Sequence, residues 1–173
     1  MSSRVLPAAL RGVMSTFPHA GRVEWIGLRP ASRVPMQSVS SIKAIAARGL
    51  VGDRTAARSR PGNSRQVTFI QAEHLGVIGS LLNTTIDPAQ TRRNIVISGI
   101  NLLSLKGHTF SIGSARFEMT GDCHPCTAME AALGPGGYNA MRGMGGITAI
   151  VLESGEFSVG DPLTADIEPR TAP

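Results

Sequence analysis

Turn-forming residues recur along the whole chain and limit the length of any helix or strand within it. The 173 residues include 20 glycines and 11 prolines, a content that favours many short elements and disfavours a helical bundle. Segments with strand-like composition are 23–28, 36–42, 65–70, 95–98, 109–113, 115–120, 147–152 and 156–159. Helical spacing of apolar residues marks 71–82 and 127–133. These patterns predict about eight short strands with two or three small helices, a mostly β domain of the α+β type with a barrel-like sheet.

The candidate domain occupies residues 21–163, with a short segment on either side. Residues 1–20 contain arginines and serines but no acidic residue. A mitochondrial transit segment shares this composition, but a flexible terminus is the preferred interpretation. Residues 164–173 are polar and contain proline, and we expect a flexible tail. Residues 43–48 either continue the second strand or begin a helical turn, and the sequence leaves both open.

Charge and composition argue against two classes of partner. With 17 Lys and Arg against 12 Asp and Glu, the formal net charge is +5, which suits an anionic ligand. One Trp, one Tyr and five Phe are too few for stacking on bases, so no nucleic acid partner is expected. No apolar run reaches the roughly 20 residues that span a bilayer, and nothing resembles a cleavable signal segment. We therefore expect a cytoplasmic protein without a membrane partner.

Both cysteines of the chain lie in one loop, in the sequence Cys123-His124-Pro125-Cys126. A predicted strand ends before this loop and a predicted helix begins after it. Unpaired backbone N–H groups and the positive end of a helix favour a thiolate over a thiol at such a position. A reactive sulfur is therefore the leading hypothesis for this loop.

Several other roles for the two cysteines are open. A disulfide framework needs an oxidising compartment and a chain with more cysteines. Structural zinc needs four ligands, and the histidines show no second ligand pair at finger spacing. A thiol-disulfide redox pair made of Cys123 and Cys126 is the stronger competitor, although such a motif normally lies near the start of a βαβ unit. A non-catalytic binding module with structural cysteines is the remaining alternative.

Two polar loops carry further candidate groups. Arg92, Arg93 and Asn94 precede the strand 95–98. Adjacent arginines before a buried strand often form only a solvated loop, but guanidinium groups also bind phosphate in two-pronged fashion and an amide adds neutral donors. The turn at 49–54 carries Asp53 and Arg54 at its tip, and its simplest interpretation is a loop whose aspartate caps backbone amides.

The order of these short motifs resembles the MOSC domain, the family named for the C-terminal domain of molybdenum cofactor sulfurases. The resemblance covers about residues 21–163, and the joint order of the motifs is more specific than any one of them. The motifs are Gly52-Asp53-Arg54, Arg65-Gln66-Val67, Arg92-Arg93-Asn94-Ile95-Val96, Leu105-Lys106-Gly107, Ile112-Gly113, the Cys126 loop, and Gly155 with Val159-Gly160-Asp161. The resemblance implies a MOSC-like β-barrel that holds the molybdenum cofactor, a pterin whose dithiolene chelates molybdenum and whose tail is a phosphate.

The resemblance also assigns expected roles to individual residues. Cys126, preceded by Pro125, matches the family cysteine that carries sulfur or ligates molybdenum, so it is the expected catalytic residue and metal ligand. Cys123 lacks such a counterpart and is either a resolving thiol for an oxidised or persulfidated Cys126 or a small buried residue. Arg93 and Asn94 match an Arg-Asn pair expected to bind the phosphate or the pterin. Additional positive charge facing the same pocket is expected from Lys43, Arg65 and Arg92.

Two departures from larger family members bear on the expected function. A full sulfurase also carries a large pyridoxal phosphate desulfurase domain, which 173 residues cannot contain. Pyridoxal phosphate is therefore linked to this chain only by family association. Members that reduce N-hydroxylated compounds carry an extra N-terminal β domain. The chain therefore resembles the standalone type, which needs an external sulfur donor as a sulfur carrier or an external electron-transfer partner as a reductase. The sequence leaves both activities open.

Overall fold

Strand pairing along the chain closes a barrel. The structure is a computed structural model that describes residues 7–58, 60 and 62–166. The strands in this part of the chain are β1 (Gly21–Leu28), β2 (Gln37–Val39), β3 (Ser41–Ile45), β4 (Gly49–Leu50), β5 (Val67–Gln71), β6 (Ile95–Ser98), β7 (Thr109–Ile112), β8 (Ala115–Asp122), β9 (Ile147–Glu153), β10 (Gly155–Ser158) and β11 (Pro162–Asp166). The helices are α1 (Ala8–Met14), α2 (Arg54–Ala57), α3 (Ala72–Leu82), α4 (Thr127–Leu133) and α5 (Gly137–Ala140), with 3-10 helices at Pro88–Thr91 and Leu102–Leu105.

Seven of these strands form the closed barrel. Their order is β11-β7-β8-β9-β5-β6-β1, and β1 returns to β11 with Gly21 opposite Leu163 and Arg22 opposite Pro162. Strand β2 extends the sheet beyond β1, and β10, β3 and β4 form a separate three-stranded sheet. The predicted mostly β, barrel-like fold with small helices is therefore confirmed.

Phenylalanine rings fill the centre of the barrel. Phe69, Phe110, Phe117 and Phe157 are at most 2% exposed. The ring of Phe69 meets those of Phe110 and Phe117 edge to face, with centroids 5.5 and 5.6 Å apart, a geometry that the ring quadrupoles favour. In β8 the alternation of Ala115, Phe117 and Met119 with more exposed residues sends every second side chain inward.

The parallel pair β5 and β6 is buried on both faces and positions the cysteine loop. Phe69 and Ile95 point into the barrel, whereas Ile70 and Val96 belong to a second cluster outside it. Helix α3 connects the two strands, as a parallel pair requires. Met129 of α4 is buried in the same outer cluster, so the start of α4 lies beside the segment that leads into β6.

Some element boundaries differ from the sequence prediction. The expected strand 36–42 is two strands, β2 and β3, which belong to different sheets. Residues 43–48, left open by the sequence, continue β3 to Ile45 and then turn. Residues 164–166 of the expected tail pair with β7 as part of β11, and 8–14 of the N-terminal segment form α1. The remaining predictions for residues 1–6 and 167–173 lie outside the described residues.

The helices of the described chain are short. None of them is long and apolar enough to cross a membrane.

Candidate functional site

A cavity of about 440 Å³ brings Cys126 together with a group of arginines. Six arginines line it but only one carboxylate, that of Asp53. Besides Cys126 and Asp53, the lining residues are Arg29, Arg54, Arg58, Arg65, Arg92, Arg93, Met36, Thr55, Asn63, Gln66, Thr68, Asn94, Ala128 and Met129. The surplus of guanidinium groups gives the cavity a chemistry that suits anions.

Cys126 is the residue that precedes the first turn of α4. Its backbone is extended, with φ −134° and ψ 176°, and its side chain caps no backbone N–H. The side chain is exposed, and the preceding Pro125 limits the backbone of the loop. The sulfur is therefore available to a ligand or reagent that enters the cavity.

Arg93 is buried beneath the cysteine loop and forms hydrogen bonds to its backbone. Its side chain is only 3% exposed. Nε donates to the carbonyl of Gly145 at 2.8 Å, Nη1 to that of Thr91 at 3.0 Å, and Nη2 to those of Cys123 at 3.0 Å and His124 at 3.4 Å. Burial lowers the pKa of Arg93, whereas the sulfur of Cys123 acts in the opposite direction. Because these bonds use four of the five guanidinium donors, Arg93 positions the loop and contributes charge to the cavity.

Asn94 joins a buried polar network under the cavity floor. Its amide nitrogen donates to the carbonyl of Gly27 and to Oδ2 of Asp53, each at 3.1 Å. Its amide oxygen accepts from the hydroxyl of Thr68 at 2.9 Å. Asp53 in turn accepts from the backbone N–H of Thr55 and Arg29, and it caps α2 as the sequence suggests. This network holds β1, α2, β5 and β6 in a fixed relation around the cavity.

The arginines that face the open cavity outnumber the single carboxylate there, that of Asp53. Within the described chain, no ion pair involves Arg29, Arg54, Arg58 or Arg92. Nε of Arg29 is buried and has no hydrogen-bond partner among the described residues. Burial lowers the pKa of Arg29, the positive charges of Arg92 and Arg54 lower it further, and the negative charge of Asp53 acts in the opposite direction. An oxyanion in the cavity would relieve this repulsion.

Arg92 adopts a backbone conformation that most residues avoid. Its φ is 57° and it ends the 3-10 helix Pro88–Thr91. For a side chain other than glycine, the left-handed conformation costs roughly 1–2 kcal/mol. Such strain is concentrated at ligand-binding positions.

Replacing Arg92 should therefore separate stability from anion binding. We expect Arg92→Gly to leave the free energy of unfolding unchanged or to raise it by up to about 1 kcal/mol, because glycine adopts this conformation without strain. The affinity for inorganic pyrophosphate should fall several-fold with the loss of a cation. Denaturant titration and calorimetry measure the two effects.

A matched control is Ala47→Gly, which replaces a residue with φ 60° in the turn after β3. It should change stability in the same direction and leave anion affinity unaltered. Equal affinity in Arg92→Gly and the unaltered protein would remove Arg92 from the site.

The two cysteines occupy different environments. Cys123 is 1% exposed, and Nη2 of Arg65 donates to its sulfur at 3.0 Å. A smaller cavity of about 140 Å³ is lined by Cys123 and not by Cys126. Cys123 thus holds Arg65 at the wall of the larger cavity, and only Cys126 presents its sulfur to that cavity.

Lys43 is separate from this group of cations. It lies in β3, in the three-stranded sheet, with Nζ 3.9 Å from Oε1 of Glu156. It is not among the residues that line the Cys126 cavity. The cavity instead contains Arg29 and Arg58, which the sequence did not single out. Each is a lone basic residue near a turn, and only the folded chain shows that they converge.

The cavity offers a metal a single thiol, that of Cys126. Among the described residues, no group of three or more His, Cys, Asp or Glu side chains is placed to hold a metal ion. The donor set at the cavity is one thiol sulfur, the thioethers of Met36 and Met129, the carboxylate of Asp53, guanidinium N–H groups and side-chain amides and hydroxyls. This set suits an anionic ligand with an affinity for sulfur.

Comparisons with known proteins agree with the barrel. A sequence model of the MOSC domain matches residues 56–164. The crystal structure of the YuaD protein from Bacillus subtilis is 19% identical, with a TM-score of 0.71 over 85% of this chain and 96% of that one. For YiiM from Geobacillus stearothermophilus the identity is 16% and the TM-score 0.69, covering 84% of this chain and 75% of that one. For YiiM from Escherichia coli the values are 18% and 0.65, covering 86% and 70%. At such identities the structures show similarity of fold alone, and no curated protein matches the chain by sequence.

Proposed function

The chain belongs to the MOSC domain family, and on that premise we propose that it binds the molybdenum cofactor in the arginine-lined cavity, with Cys126 as the sulfur beside it. The observation that carries the proposal is the placement of an exposed thiol in the same cavity as six arginines. A phosphate-bearing pterin with a sulfur-bound metal needs both kinds of group.

The residues of the cavity fit such a ligand. The guanidinium groups of Arg29, Arg54, Arg58 and Arg92, which line the cavity, would bind the phosphate through charge-assisted hydrogen bonds. Met36, Ala128 and Met129 supply apolar wall against which a flat ring system would pack. The thiolate of Cys126 would be a soft donor to molybdenum. When bound, the cofactor supplies oxygen- or sulfur-transfer and redox chemistry.

Two activities are consistent with this arrangement. As a sulfur carrier, Cys126 thiolate attacks the terminal sulfur of a donor persulfide. A new S–S bond forms at Cys126, the S–S bond of the donor breaks, and the donor leaves as a thiol. As a reductase of N-hydroxylated compounds, the protein receives two electrons per turnover from an external electron-transfer partner. In both cases Arg93 keeps the thiol-bearing loop in place and the cavity arginines hold the anionic ligand.

Thiol-disulfide exchange between Cys123 and Cys126 is less favoured. It requires both sulfurs to be accessible in turn, but Cys123 is buried and engaged by Arg65. Of the two cysteines, only Cys126 lines the large cavity.

Elemental analysis and intact mass test the proposed function. The protein is purified without oxygen from a host that makes the cofactor. We expect molybdenum with pterin, or the added mass of one sulfur atom on the peptide that contains Cys126. Molybdenum supports the cofactor-bound activity, and added sulfur without molybdenum supports the carrier. Stoichiometric zinc with neither molybdenum nor added sulfur would contradict the proposal.

A further inference from the structure

A second cavity adjoins the Cys126 cavity, because Arg29, Met36 and Arg92 line both. Its volume is about 280 Å³. The residues that line it alone are Arg33, Val34, Pro35, Ala89, Gln90 and Ala132. Cys126 does not line it, so a ligand at the thiol fills only one end of the combined groove.

The second cavity is cationic and has no acidic residue in its lining. Arg29, Arg33 and Arg92 contribute three guanidinium groups, and none of them takes part in an ion pair within the described chain. Arg29 belongs to the part of the wall that the two cavities share, and its buried Nε has no hydrogen-bond partner among the described residues. The positive charge of Arg92 acts unfavourably on Arg29, and a bound oxyanion would offset that cost.

The backbone of two of these arginines is strained. Arg33 has φ 64° and Arg92 has φ 57°, two of the four non-glycine residues with positive φ in the described chain. Both line the second cavity. Strained conformations of this kind are retained where the surrounding structure and a ligand clamp require them.

We propose that the combined groove binds an elongated ligand with two linked oxyanion groups, of the diphosphate class. One group faces the arginines of the Cys126 cavity, and the other faces Arg33. Arg29 and Arg92, on the shared wall, contact the part between them with their planar guanidinium groups. The inference rests on the proposed function only for the placement of this ligand beside the thiol, and it requires no molybdenum.

Calorimetric titration of the metal-free protein with inorganic phosphate and inorganic pyrophosphate tests the inference. At about 0.15 M salt, where distant surface charges are screened, one pyrophosphate should bind per chain and displace phosphate. Arg33→Asn should weaken pyrophosphate binding about tenfold, the loss of one charge-assisted contact, and change phosphate affinity by less than about twofold. Asparagine tolerates positive φ, so the substitution adds no backbone strain.

Arg48→Asn is the matched control. Arg48 is exposed in the turn after β3 and lines neither cavity, so both affinities should stay within about twofold of the unaltered protein. Equal losses for both anions in Arg33→Asn, equal losses in the two variants, or two independent phosphates without preference for pyrophosphate would overturn the inference. Molybdenum content is measured separately. Absence of both molybdenum and added sulfur on Cys126, with an intact pyrophosphate preference, would remove the proposed function and leave this inference standing.

Discussion

Arg93→Met should lower the free energy of unfolding by about 3–5 kcal/mol. The methionine fills similar volume but donates no hydrogen bond. It leaves the carbonyls of Thr91, Cys123, His124 and Gly145 without the donors that Arg93 supplies. Each unsatisfied buried carbonyl costs about 1–3 kcal/mol. The total loss is smaller than four such costs, because His124 is exposed and its carbonyl can bond to water. Urea or guanidinium unfolding measures the change.

Two other variants make this prediction specific. Arg92→Met removes the adjacent cation, whose side chain is only half-buried, and should cost less than about 1 kcal/mol. Arg93→Lys should restore only part of the lost stability, because one ammonium group cannot reach carbonyls on both sides of the loop as a guanidinium does. If Arg93→Met and Arg92→Met were equally stable, Arg93 would not brace the loop.

Cys126→Ser should abolish cofactor retention and sulfur loading without destabilising the fold. The side chain of Cys126 is exposed and caps no backbone N–H, so no packing is lost. Serine is a better N-cap than cysteine, and we expect the free energy of unfolding to be unchanged or higher by about 0.5 kcal/mol. Molybdenum content, added sulfur mass and denaturant unfolding are measured on the same preparation.

Cys123→Ser is the matched control because it makes the same replacement of sulfur by oxygen, at the other cysteine of the loop. It should retain cofactor and sulfur loading, and lose some stability because a polar hydroxyl replaces a buried sulfur. Loss of function in both variants would favour the thiol-disulfide alternative. Lower stability of Cys126→Ser with unaltered metal and sulfur would identify a non-catalytic module.

Local sequence patterns are sufficient to predict most strands of the barrel. The boundaries of α4, Thr127–Leu133, follow from the glycines and proline that end it, and the apolar run 95–98 is β6. The break between β2 and β3 was missed, because alternation alone does not reveal which sheet a residue joins. Pairing partners depend on contacts distant in sequence, such as that of β1 with β11.

The site is harder to predict, because a sequence does not show which groups a charged side chain will contact in the fold. The resemblance predicts that Arg93 and Asn94 bind ligand directly, and the structure shows that both side chains also form hydrogen bonds within the protein. Arg29 and Arg58 are distant in sequence from Cys126 and join it only in the fold. Two positions break local rules at the cavity, a cysteine that precedes a helix without capping it and an arginine with positive φ. Such departures are expected where function outweighs stability.

The rates at which Cys126 reacts with iodoacetate and with iodoacetamide test the central claim most directly. The two reagents differ in charge, and peptide mapping separates Cys126 from the buried Cys123. If the thiol lies in the field of the cavity arginines, the ratio of the anionic to the neutral rate should exceed that of free cysteine by tenfold or more, on the order of a steered association. Added salt and pyrophosphate should reduce the ratio. A ratio equal to that of free cysteine and insensitive to salt would contradict the placement of a reactive sulfur among unpaired arginines.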